Sequence, residues 1–75
     1  MTRIPRFTLG DRIRKARTEA GLEQRQLATR LGVNRNTVGL WEHDEARPNT
    51  ASLIAVAAVT ETDLDWLEGK AAQDA

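Results

Sequence analysis

Residues 21–42 read GLEQRQLATRLGVNRNTVGLWE, and the fold turns on how their apolar positions are spaced. Leu27, Ala28 and Leu31 recur at helical spacing, the mark of a helix that buries one face. Val38 and Trp41 repeat that spacing on a second short helix, which Asn34 can cap and which extends to about His43. Gly32 and Val33 lie between the two, where a tight turn needs a residue that tolerates positive φ. Ala28 is small enough for the two backbones to cross steeply. Arg35, Asn36, Thr37, Gly39 and Leu40 then point away from the core and need another partner.

Outward from this stretch the chain continues as helices. Thr8 can cap a first helix, with Asp11 in its positive first turn and Leu9, Ile13, Ala16 and Ala20 on one stripe. Gly21 ends it. Its opposite face carries Arg12, Arg14, Lys15 and Arg17, expected as a solvated face from which an edge-on phosphate contact is open. Glu23 or Gln24 opens the second helix. After the third, HDEARPNT is a loop in which Pro48 bars helix and Asn49 or Thr50 caps the next one. A fourth helix over about Ala51 to Thr60 and a short fifth over Asp63 to Glu68, stopped by Gly69, complete an all-α chain of five helices. Residues 8–69 form the folded unit, 1–7 an N-terminal arm kept extended by Pro5, and 70–75 a frayed tail.

At 75 residues the chain is one domain near the lower limit for a single core, and it has no cysteine to staple it. The longest apolar run, Leu53 to Val59, is too short to span a membrane, and MTRIPRFT lacks the apolar centre of a signal peptide. A cytoplasmic protein is expected. The net charge of zero hides an asymmetry: residues 1–41 hold nine Lys and Arg against three acids, residues 42–75 two against eight. Such a chain can dock its basic end on a polyanion. Trp41 and Trp66 are read as core rather than as stacking platforms, and the single histidine, His43, as a solvated helix end rather than a metal ligand.

The stretch from Gly21 to Glu42 resembles the helix-turn-helix of the lambda-repressor-like family of phage repressors, Cro proteins and bacterial regulators, formed here by helices 2 and 3. The resemblance runs from about Leu9 to Leu67 and continues in the Pro48 loop and the DLDWL of the fifth helix. It implies that helix 3 reads the major groove of a double-stranded DNA operator. Asn34, Arg35 and Asn36 then occupy the base-reading positions, since arginine forks onto guanine and asparagine onto adenine. Gln24 falls where the family's glutamine binds a phosphate and braces the third helix, Thr37 falls at a phosphate-binding position, and Arg12, Arg25, Arg47 and Asn49 are further phosphate candidates. Arg3 and Arg6 place the arm on backbone or minor groove.

Leu40 stands where relatives often carry a polar or basic residue, and two roles are open to it: contact with a thymine methyl, or partial burial. Gly39 weakens the helix by about 1 kcal/mol relative to alanine and lets it sit close to the DNA backbone. Asp44 and Glu61 replace turn glycines of many relatives, which leaves the shape of both loops open. The resemblance implies a transcriptional regulator of repressor or Cro type. Leu53, Ile54, Val56, Ala57, Ala58 and Val59 wrap further round helix 4 than one buried stripe requires, and with Leu64, Trp66 and Leu67 they suggest a weak homodimer or a dimer formed on DNA. An antitoxin-like or other protein-interaction module of the same fold is the alternative. An enzyme fails on inventory, with no nucleophile beside a recognisable base, and no cofactor, metal or small-molecule ligand is expected.

Overall fold

The computed structural model describes residues 2, 3 and 5–70, so Met1 and Ile4 of the arm and the expected tail beyond Lys70 lie outside the described residues. Five helices succeed one another: α1 Leu9–Glu19, α2 Gln24–Leu31, α3 Arg35–Glu42, α4 Thr50–Thr60 and α5 Leu64–Leu67. Each starts where a side chain or capping box satisfies its first amides. The Thr8 hydroxyl accepts from Asp11 N–H at 3.1 Å while Asp11 Oδ2 accepts from Thr8 N–H at 3.0 Å, a reciprocal box. Asn34, Asn49 and Asp63 accept from the amides three residues on, at 3.1, 2.8 and 2.8 Å. At the start of α2, Gln26 Oε1 accepts from the Glu23 amide at 2.8 Å.

The core is built by all five helices. Ile13 and Ala16 of α1, Leu27 and Ala28 of α2, Val38 and Trp41 of α3, Leu53, Val56 and Ala57 of α4 and Leu67 of α5 are all buried, and Trp66 packs partly against them. Both tryptophans therefore serve the core. Gly32, at φ 75°, makes the turn between α2 and α3 that its sequence position implies. Among the described residues, no helix is long and apolar enough to cross a membrane.

Two expectations of the sequence are overturned and two are refined. Ala20 is exposed, because α1 ends at Glu19 and Ala20 is already its cap, one turn too late to be covered. Leu31 packs against the core as expected, but at the last position of α2 it is only half-buried. Arg12 and Arg17 do not belong to a solvated face; both guanidinium groups are drawn in to bind groups on other elements. Asp44 and Glu61 both take the left-handed conformation, at φ 59° and 55°, so these two side chains sit where glycine would be unstrained.

Asp44 has compensation for that strain. Its carboxylate accepts from the Thr8 hydroxyl at 2.6 Å and from the Gly10 amide at 2.9 Å, which ties the loop after α3 to the positive first turn of α1. The hydrogen bonds from Thr8 and Gly10, helped by Arg12 and Arg14, hold the Asp44 carboxyl below its ordinary value. A depressed folded-state value contributes stability above the unfolded value of about 3.9, and that contribution is lost as pH falls through the folded value. The melting temperature should therefore fall more steeply below about pH 4 in the wild type than in Asp44→Asn. Parallel curves would show that these bonds favour neither protonation state.

Candidate nucleic-acid interface

The inward side of α3 is set by Val38, Trp41 and Glu42, all buried. At about 100° per residue, Asn36 and Leu40 lie within about 30° of the direction opposite that stripe. Both are exposed, and Leu40 keeps 43% of its surface accessible, so partial burial is the less apt of the two roles open to it. Arg35, exposed at the first position of α3, is rotated toward the start of α2. There it shares one open cleft with Arg17, Leu22, Glu23, Gln24 and Arg25.

Asn34 is brought to the same end of α3, but its Oδ1 accepts from both the amide and the hydroxyl of Thr37, at 3.1 and 3.0 Å. A two-pronged contact to adenine would need that oxygen. Only the Asn34 amide nitrogen is thus left for a base. Thr37 is half-buried beside it, its hydroxyl bound to the cap.

Two groups of polar residues flank α3. On one side Gln24 and Arg25 open α2. On the other, Asn49 caps α4 next to Leu31 and Val33 of the turn, and Arg47, exposed, precedes it. Arg12 is not gathered here. Its Nε and Nη1 donate to the carbonyls of Leu67 and Phe7, each at 2.8 Å, and this clasps α1 to the end of α5 and to the root of the arm. Arg3 and Arg6 are exposed ahead of α1. His43 ends α3 with Nδ1 2.8 Å from the Gly39 carbonyl, and no group of potential metal ligands occurs among the described residues.

Gln24 braces α3 as the resemblance implies, but the carboxylate it binds and the arginine that shares it were missed in the sequence. Glu42, 2% exposed, receives Arg17 through Nε at 2.6 Å and Nη2 at 3.1 Å, and Gln24 Nε2 at 3.0 Å. Arg17 Nη1 also donates to the Leu22 carbonyl at 2.9 Å. One carboxylate thus joins the last turn of α1, the first residue of α2 and the last residue of α3. No buried side-chain nitrogen or oxygen is left without a partner among the described residues. The signal was present: Glu42 stands four residues after Val38 and Arg17 four after Ile13, both on inward stripes.

The geometry agrees with known proteins. A family model described as Helix-turn-helix matches residues 13–67. The HTH-type transcriptional regulator ImmR of Bacillus subtilis is 32% identical over 64 residues, which is 85% of this chain and 50% of that protein. DicA, an HTH-type transcriptional regulator of Escherichia coli, is 32% identical over 61 residues, 81% of this chain and 45% of its own length. The chain spans about half the length of these curated relatives. Among solved structures, the DNA-binding domain of the P22 c2 repressor in solution superimposes with a TM-score of 0.81 at 27% identity, covering 96% of each chain. The same repressor crystallised with a synthetic operator gives 0.75 at 28% identity, over 84% of this chain and 94% of that one. The chain belongs to the lambda-repressor-like helix-turn-helix family.

Proposed function

We propose that the chain is a sequence-specific double-stranded DNA-binding transcriptional regulator that acts without catalysis, with α3 lying in the major groove. The observation that carries this reading is the outward face of α3: Asn36 and Leu40 stand exposed opposite the core, with Arg35 at its rim and polar or basic helix starts on both flanks. The P22 c2 repressor, whose fold this chain shares, has been crystallised with an operator. Arg35 and Asn36 read bases. Gln24, Arg25, Arg47, Asn49 and Thr37 bind or brace phosphate, Arg3 and Arg6 extend the contact from the arm, and the Asn34 amide nitrogen adds one donor. Arg12 leaves this set as a strut between α1, α5 and the arm.

Truncating a base reader should cost about 1–3 kcal/mol against the preferred base and relax selectivity at that position. Removing a phosphate contact should weaken binding similarly for all sequences and flatten its salt dependence. The test is a set of titrations at fixed salt, on a duplex selected from a random pool and on its scrambled form, for Arg35→Ala, Asn36→Ala and Arg25→Ala. If Arg35→Ala and Asn36→Ala weaken both duplexes equally, α3 is a backbone clamp and not a reader.

The protein acts as a weak homodimer or pairs on the operator. Ile54, 50% exposed, and Ala58, also exposed, extend the apolar character of α4 beyond the core, and the half-buried Leu64 and Trp66 of α5 adjoin it; Leu67, expected on this surface, is fully buried in the core instead. A two-fold pair would present recognition helices about 34 Å apart, one helical turn of DNA. The same titrations on a single half-site and on an inverted pair decide it; equal affinity overturns the dimer.

A further inference from the structure

We infer that Leu40 reads the C5-methyl group of a pyrimidine, so that DNA binding responds to cytosine-C5 methylation of the site. This rests on the placement of α3 in the major groove and goes on to name what the apolar part of its face recognises. Leu40 is exposed although Val38 and Trp41, on the same helix, are buried. It shares the outermost line of α3 with Asn36, one turn earlier. A leucine there offers no hydrogen bond, and the apolar feature that a base edge presents in the major groove is the thymine methyl.

Gly39, beside it, strengthens the case. A Cβ built at Gly39 meets nothing within 4 Å, and its φ is not in the left-handed region, so neither packing nor backbone conformation calls for glycine there. What glycine does supply is a bare backbone next to Leu40, over which a groove wall can approach. A methyl reader cannot tell one pyrimidine from another by that group alone, because 5-methylcytosine carries the same methyl on the same ring carbon as thymine. The order expected at the base pair under Leu40 is therefore thymine and 5-methylcytosine above uracil and cytosine.

The test starts from the selected duplex and replaces its thymines with uracil one at a time, which removes a methyl and leaves the pairing intact. One position is expected to lose about fourfold in affinity, the worth of one methyl-sized group removed from water. At that position a 5-methylcytosine·guanine pair should bind about fourfold more tightly than cytosine·guanine, again one methyl. Leu40→Ala, an exposed position that leaves the core intact, should respond to neither change. If the wild type prefers the selected duplex over its scrambled form but no position responds, or Leu40→Ala responds as the wild type does, the inference is overturned while the DNA-reading function stands. If no duplex is preferred over its scrambled form, both fall.

Discussion

Arg17→Ala is expected to cost about 3–5 kcal/mol of folding stability, because it strands a buried carboxylate. Glu42 is 2% exposed and would keep only the Gln24 amide as a donor, where it now also receives two guanidinium N–H groups. A domain of this length has a total stability of only about 4–11 kcal/mol, so the variant should be largely destabilised at physiological temperature. The double replacement Arg17→Met with Glu42→Leu removes both charges and should recover most of the loss, since the attraction of a buried pair is largely offset by its desolvation. Denaturant titrations of the two single variants and the double variant form a cycle that isolates the coupling. Additive losses would mean the pair does not hold α1 to α3. The refolded double variant is informative about function as well: Gln24 has lost its acceptor, so affinity should drop for every duplex while sequence discrimination, if it resides on α3 as proposed, persists.

This network also marks where the legibility of the sequence stops. Caps and stripes are local, and Thr8, Asn34, Asn49, Leu27, Ala28, Val38 and Trp41 all took the places their neighbours in sequence dictate. The α2–α3 geometry was legible for the same reason, since Ala28 and Gly32 lie within the motif itself. The Arg17–Glu42 pair spans 25 positions, and although spacing puts each residue on an inward stripe, charged residues on a helix are ordinarily solvated, so nothing local said that the two would be drawn inward together. Arg12 is a similar case across 55 positions: its bonds go to backbone carbonyls, which carry no side-chain signature. Asp44 was identified as a departure from glycine, but the hydrogen bonds that hold it at positive φ come from Thr8 and Gly10, more than thirty residues earlier. For the interface, the residue types on α3 and the Asn34 cap were legible, whereas the second bond that Asn34 Oδ1 accepts, from the Thr37 hydroxyl, became apparent only with the atoms in place.

Gly10→Ala should destabilise the domain by about 2 kcal/mol, within the range for overpacking a tight contact. Propensity alone predicts the opposite sign, because alanine in a helix is favoured over glycine by about 1 kcal/mol. The structure overrides it: a Cβ on Gly10 would stand 2.6 Å from the carbonyl oxygens of both Trp41 and Glu42 and 2.8 Å from the Glu42 carbonyl carbon. All three are backbone atoms, so no side chain can swing aside and α1 must back away from the end of α3. That movement would also stretch the bond from the Gly10 amide to Asp44 and pull Arg17 from Glu42, which lies in the same turn of α3. Gly39→Ala is the matched control. It makes the same substitution inside another helix, where the new methyl meets nothing within 4 Å, and it should stabilise the fold by up to about 1 kcal/mol. Chemical denaturation of the two variants beside the wild type should move their midpoints in opposite directions. If both move upward, the first turn of α1 does not press on the end of α3, and α3 would have to be held by the Arg17–Glu42–Gln24 network alone.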